Sequence, residues 1–429
     1  MTTEPESEFE LREPGDEDDA PRVLRPRRAA PADAIRPTRA EVNLAHLRHN
    51  LHVVSKWIGR GAARSPAADG PRIWAVLKAD AYGHGAPAVA RTLERAGLDG
   101  ICVALLEEAL ELRAAGIRIP ILVMGGYYGP QNRGLEEVIE SELVPVLYHP
   151  EQVDRLARIV EGRGGAPAAF HLKVDTGMAR LGVRYEQLPS LLDRLDGVHG
   201  VVLDGVMSHL ACADANDPLP TRAQLARFRD ACALVEQRGR SPAIAHLANS
   251  AAAFAFPETR FDAVRPGLAL YGVSPFASDH PREDVRALAA ELRPVMRVRT
   301  EIVALRDIES GDSVGYGQTY VARGPRRIAT VPMGYADGLD RALSNRGSAL
   351  VRGRRAPIAG VVSMDLTTLD VTDVPGVALG DEVVLLGSQD GPLGSGTIHA
   401  TELAELVGAI PWEIVTSISR RVPRFFREP

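Results

Sequence analysis

The stretch Ile73-Trp-Ala-Val-Leu-Lys-Ala-Asp-Ala-Tyr-Gly-His-Gly85 sets the reading of this chain. Its five apolar residues, Ile73 to Leu77, form the continuous run of a buried strand. The run stops at Lys78, and Tyr82 follows four residues later in a Gly/His-rich turn. A lysine amine at the end of a buried strand stands against an apolar wall, where its neutral, nucleophilic form becomes accessible. Such an amine can bond the carbon of an aldehyde. Taken alone, a lysine after a strand is more often a solvated surface residue.

Similar runs recur downstream at Ile101–Ala104, Ile121–Met124, Val144–Leu147, Phe170–Val174, Val201–Met207, Ala243–His246 and Ala263–Leu268. Most intervals carry helical patterns, such as Leu135–Ser141, Gln152–Ile159 and Gln224–Glu236. Eight strands alternating with helices predict an α/β (β/α)8 barrel of roughly the ~250-residue size usual for it. Asn43 is placed to cap a preceding helix through Leu44, Leu47, Leu51 and Val54. Near Ala287 the pattern changes. Met296, Val298, Thr300 and Ile302 alternate, and Ile328–Pro332, Ala349–Arg352, Val361–Val371 and Glu382–Leu386 read as strands of a second, mostly β domain. The expected division is a charged, Pro- and Ala-rich disordered tail over 1–37, a barrel over 38–286 and a β domain over 287–429.

The chain has 429 residues, 45% of them hydrophobic, and 50 basic against 56 acidic side chains for a net charge of −6. That balance gives no reason to expect nucleic acid as a partner. Three cysteines, Cys102, Cys212 and Cys232, sit among apolar residues and read as reduced thiols, not as a disulfide framework or a metal cluster. No apolar run approaches the ~18 residues of a membrane span. The acidic start lacks an apolar signal core, so a cytoplasmic enzyme is the expectation.

Polar residues gather where the barrel strands end, the end that carries active sites in this fold. Lys78 follows the first strand, His209 the sixth and Asn249-Ser250 the seventh, with Arg265-Pro-Gly-Leu268 at the eighth. Barrels often bind phosphate with the loops after strands seven and eight. The Ser250 hydroxyl and the backbone near Gly267 and Leu268 suit that need. A second string, His171-Leu-Lys-Val-Asp-Thr-Gly-Met-Ala-Arg-Leu-Gly182, puts His171, Lys173 and Asp175 on one face of a strand, with Arg180 after the turn. From spacing alone, Lys173 and Asp175 could simply form an ion pair.

These strings, with Val314-Gly-Tyr-Gly-Gln-Thr-Tyr320, Met333-Gly-Tyr-Ala-Asp-Gly338 and Val362-Ser-Met-Asp-Leu366, resemble the alanine racemases, fold-type III enzymes dependent on pyridoxal phosphate. The resemblance spans nearly everything from Arg36 to Pro423. It implies that Lys78 carries the cofactor and that Tyr82, Arg180, His209, Asn249, Ser250, Arg265, Gly267, Leu268 and Trp412 surround it. Arg180 would donate to its phenolic oxygen and Arg265 would face its pyridine nitrogen, with His209 and Arg265 in a hydrogen-bonded relay. Lys173 would be a site of carbamylation. Tyr316 would be the second catalytic base, reaching into a partner subunit. Tyr335, with Met364 and Asp365, would line the substrate path, and Arg180 would also meet substrate. A homodimer with shared sites, acting on alanine to supply D-alanine for peptidoglycan, is what this implies, with no nucleic acid, membrane or metal involved.

Trp412 departs from the family pattern, in which most members carry tyrosine. Indole offers one donor and no acceptor in a bulkier ring, which leaves substrate breadth open. The alternatives are a broad-specificity or serine racemase, a non-catalytic pyridoxal phosphate-binding protein, and a fold-type III decarboxylase. The decarboxylases usually supply a cysteine motif near the tail end, which this chain lacks.

Overall fold

The computed structural model describes residues 34–60, 70–125, 134–164, 166–277 and 280–428. Most of the charged tail, to residue 33, and a stretch of mostly small residues, over 61–69, lie outside the described residues.

Eight parallel strands close into a barrel: Arg72–Val76, Gly100–Val103, Ile121–Val123, Val144–Leu147, Ala168–Asp175, Val201–Met207, Ile244–Asn249 and Ala263–Arg265. Each pairs with the next, and Val264 pairs with Ile73 to complete the ring. All eight expected strands are present. The last ends at Arg265, short of Leu268, because Pro266 has no N–H to continue a ladder. Helices fill the intervals, among them Leu135–Glu140, Pro150–Arg163 and Leu219–Gln237. Asn43 caps the helix Leu44–Trp57 as its position suggests, its side chain accepting from the N–H groups of Ala45 and His46.

The second domain is built on a twisted sheet ordered Arg354–Pro357, Ser348–Val351, Glu382–Gly391, Met296–Glu301, Arg39–Asn43 and Arg424–Arg427. Both ends of the described chain therefore meet in this sheet. Arg39–Asn43 runs antiparallel to Met296–Glu301 and parallel to Arg424–Arg427. Glu41 is buried there and held by Arg297, Arg299 and Arg427. A three-stranded sheet, Ala304–Ile308, Arg326–Val331 and Thr367–Asp370, lies beyond. The expected strand over Val361–Val371 is thus reduced to its second half. Ser363 donates to the carbonyl of Leu366, closing a turn that leaves Met364, Asp365 and Leu366 exposed.

The barrel interior is not wholly apolar. Trp74, His171 and His246 pack together along its axis, with Trp74 5.5 Å from the His171 ring and 6.2 Å from that of His246. Gly100 and Gly205 make room, since a β-carbon at either would sit under 3 Å from the Trp74 or His171 ring.

Candidate active site

The backbone turns left-handed immediately after the first barrel strand. Ala79, Asp80, Ala81 and Tyr82 all have φ between 51° and 58°. A left-handed turn of non-glycine residues costs about 1–2 kcal/mol per residue, so the surroundings must hold it. Glu108 does so from the first turn of the helix after the second strand, accepting from Ala79 N–H at 2.6 Å and from Ala104 and Leu105 N–H. Asp80 accepts from Ala86 N–H. The buried Arg424 of the second domain donates to the carbonyl of Gly83. This turn aims Lys78 into the barrel mouth.

There a cavity of about 490 Å³ opens. Its walls include Lys78, Tyr82, Arg180, His209, Asn249, Ser250, Arg265, Gly267, Leu268 and Trp412. The structure therefore brings together every residue that the family resemblance places around one cofactor. Lys173 lies next to Arg180 and His209 in an adjoining crevice.

The cavity is strongly cationic. Lys78 is reached by solvent through the open mouth of the single chain, yet desolvation and the nearby Arg180 lower its pKa, with Glu108 opposing. Burial, then Arg265 and Arg180, bring the Lys173 amine down to about 8. His209 is pushed down to about 3 by burial and the same cations, so it is neutral. Burial lifts the Tyr82 phenol well above its ordinary value, so it stays protonated. Asp175 does not pair with Lys173. Desolvation acts to raise Asp175, but N–H groups of Gly177, Met178 and Ala179 bond its Oδ1 and hold it below the usual range.

Arg265 is 2% exposed and fully engaged on one side. It donates to His246 Nδ1 at 2.7 Å and to the carbonyls of His246, Ser208 and Leu247. The imidazole it bonds is therefore that of His246, not of His209. Ser250 Oγ accepts from Gly267 N–H at 2.8 Å, which ties the seventh and eighth loops together. Asn249 turns its Oδ1 inward to cap Ala252 N–H. A β-carbon on Gly267 would lie 2.5 Å from the Tyr82 hydroxyl, so glycine is what lets that phenol approach.

A second group of expected residues lies elsewhere. Tyr316 (73% exposed), Tyr335 and Met364 stand on neighbouring turns of the second domain, outside the cavity of their own chain. Tyr335 N–H donates to Ser363 O and Ala336 N–H to Met364 O, which clasps those two turns together. Asp365 accepts from Arg421. Gly315 and Gly317, at φ 74° and 68°, flank Tyr316 and let the chain bend sharply around it.

Glu108, Arg424 and His246 are structural partners of the site that sequence reasoning missed. Glu108 and Arg424 act on backbone groups across the fold, which leaves no local pattern. His246, three residues before Asn249 on a predicted strand, carried the one available signal.

The residues present suit a phosphorylated aldehyde. Lys78 offers an amine and Tyr82 a protonated hydroxyl, neither with a hydrogen-bond partner among the described residues, and both open on one cationic cavity. The profile for "Alanine racemase, N-terminal domain" matches residues 42–275, and that for "Alanine racemase, C-terminal domain" matches 295–426. An alanine racemase of Sorangium cellulosum is 60% identical over 399 residues, covering 92% of this chain and 100% of that protein. One from Syntrophobacter fumaroxidans is 43% identical over 89% and 95% of the two chains. The crystal structure of alanine racemase from Streptomyces lavendulae superposes with a TM-score of 0.81 at 34% identity, over 92% of this chain and 98% of that one. The Bacillus anthracis alanine racemase with bound L-Ala-P gives 0.79 at 35%, over 92% and 96%. With both halves matched and the barrel and β domain arranged as above, the chain belongs to the alanine racemase family.

Proposed function

We propose that this chain interconverts L- and D-alanine with pyridoxal 5'-phosphate, as a cytoplasmic homodimer supplying D-alanine for peptidoglycan. The observation that carries the reading is that the Lys78 amine and the Tyr82 hydroxyl, without hydrogen-bond partners among the described residues, line one cationic cavity. Lys78 would hold the cofactor covalently. Tyr82, Ser250, Gly267 and Leu268 would hold its phosphate, with Asn249 supporting them through the helix it caps and Trp412 closing the side. Arg180 would serve its phenolic oxygen and substrate, and Arg265 its ring nitrogen. When bound, the cofactor withdraws electrons from the α-carbon of an attached amino acid and makes its proton removable.

The chain's own task is then to move that proton between two faces. The lowered pKa of Lys78 supplies a base on one. Tyr316, contributed by a second copy, would supply a donor or acceptor on the other. Two groups on opposite sides invert the centre without turning the substrate over. The residue division would follow: the barrel module, 38–286, holds the cofactor, and the β module, 287–429, presents Tyr316, Tyr335, Met364 and Asp365 to its neighbour. Tyr316, Tyr335, Met364 and Leu366 expose large apolar surface, as a contact face requires.

Loading with pyridoxal phosphate, borohydride reduction and peptide mapping should place a pyridoxyl adduct on Lys78. Tyr316→Phe should then spare much of the solvent deuterium exchange from D-alanine and cripple that from L-alanine. No adduct at Lys78 would refute the cofactor assignment. Equal loss for both isomers would refute the assignment of faces. Trp412 in place of the usual tyrosine supports a second reading, a broader amino-acid racemase, which relative rates on alanine, serine and lysine decide.

A further inference from the structure

Arg265 begins a chain of buried polar groups that runs down the barrel axis away from the mouth. Its Nη1 lies 2.7 Å from His246 Nδ1. His246 Nε2 lies 2.8 Å from His171 Nδ1. Among the described residues His171 Nε2 is buried with no hydrogen-bond partner, and the carboxylate oxygen Oδ2 of Asp204 stands at ion-pair distance, 3.7 Å.

Two anchors set the direction of this chain, the guanidinium at one end and the Asp204 carboxylate at the other. A guanidinium can only donate, so His246 Nδ1 carries a lone pair. Burial lowers the pKa of His246 and of His171, so both rings are neutral with one proton each. The His246 proton is then on Nε2 and points to His171 Nδ1, which must accept. That leaves the His171 proton on Nε2, directed at Asp204. Reversing one link reverses all of them and sets an N–H of His246 against an N–H of Arg265.

The backbone is arranged for this contact. Phe170 pairs with Leu203, but His171 pairs with Gly205, which makes Asp204 the extra residue of a β-bulge. Bulges re-aim side chains and recur beside active sites. Gly205 has no β-carbon to obstruct the His171 ring, and Trp74 packs on both imidazoles.

We propose that Asp204 and His171 are positioning residues that act through His246 to fix the hydrogen-bond direction at Arg265, and so hold the guanidinium in place at the floor of the site. The inference rests on the reading of Arg265 as the residue serving the cofactor ring.

Protein labelled with 15N-histidine reports the tautomers directly, before and after loading with pyridoxal phosphate. In the wild type, His171 and His246 should both be protonated at Nε2 alone. Asp204→Leu removes the terminal acceptor. With the guanidinium left as the single anchor, it should shift a measurable fraction of both rings to the Nδ1–H form and weaken pyridoxal phosphate binding by about two- to fivefold, the size of a partly exposed charge contact. Asp204→Asn keeps an acceptor oxygen and should restore both properties. Wild-type rings protonated at Nδ1, or histidine spectra and cofactor affinity unchanged in Asp204→Leu, overturn the proposal. If Asp204→Leu fails to fold, Asp204→Ala takes its place, and the wild-type spectrum remains decisive. Failure of the wild type to bind pyridoxal phosphate would instead sink the functional reading, while spectra of the unloaded protein still decide the relay.

Discussion

Lys78 and Lys173 occupy the same crowd of cations but suit different chemistry. Lys78 opens on the large cavity, while Lys173 is 7% exposed beside Arg180 and His209. For Lys173, burial and then Arg265 and Arg180 outweigh the attraction of Asp175, which is spent on three backbone N–H groups. A lysine brought down to about 8 has a substantial neutral fraction near neutrality, and the fraction grows as pH rises through that value. A neutral amine can attack carbon dioxide and release a proton, which leaves an N-carboxylate. That exchange removes one positive charge from the cluster and adds a negative one near Arg180. Carbamylation of Lys173 is therefore expected, increasing as pH is raised through about 8. A carbonyl resonance from 13C-bicarbonate, present in the wild type and absent in Lys173→Met, would register it. An identical signal in both proteins would count against it.

The left-handed turn after the first barrel strand is the element on which the site is built, and it was invisible in the sequence. The strands were legible because buried parallel strands are nearly continuous apolar runs, and Ile73–Leu77 or Val201–Met207 read as little else. A cavity at the strand ends was legible because the fold collects those ends at one place. Ala79-Asp-Ala-Tyr82, however, contains no glycine to announce positive φ. Its conformation is imposed by Glu108 and Arg424, respectively about thirty and more than three hundred residues away. Arg39–Asn43 escaped notice for a related reason, since its partners are Met296–Glu301 and Arg424–Arg427. Imposed conformation has measurable consequences. Alanine to glycine ordinarily costs about 0.5–1 kcal/mol within regular structure, but Ala79→Gly relieves left-handed strain and should leave folding stability unchanged or raised by up to about 1 kcal/mol. Cofactor affinity should fall, because the turn is no longer confined to one conformer. Gly83→Ala should behave oppositely. Its β-carbon would lie 2.4 Å from Val415 O at φ 79°. The expected loss is about 2–4 kcal/mol, read from unfolding midpoints. Equal effects of the two substitutions would show that the turn is not under strain.

In the proposed dimer, the two domains of one chain present complementary halves of a site without joining them. The cavity with Lys78 is complete in its cationic walls, while Tyr316 projects from the other domain into solvent at 73% exposure. A large exposed phenol between two glycines gains nothing for the fold by standing there. Tyr335 and Met364 are displayed on adjoining turns at 42% and 52% exposure. On the proposed reading, each domain meets the opposite domain of another copy, an arrangement that twofold symmetry satisfies twice over. Mixing inactive variants tests this directly. In a dimer of one Lys78→Ala chain and one Tyr316→Phe chain, one site collects both substitutions and the other receives neither. Random reassociation of equal amounts should therefore recover about a quarter of wild-type activity from two nearly dead proteins. Recovery requires subunit exchange, so it should depend on dissociating and reassociating the mixture, and it should be lost if the two substitutions are placed in the same chain. If Lys78 and Tyr316 of one chain served a single site, every chain in the mixture would carry a lesion, and no activity would return under any regime of exchange.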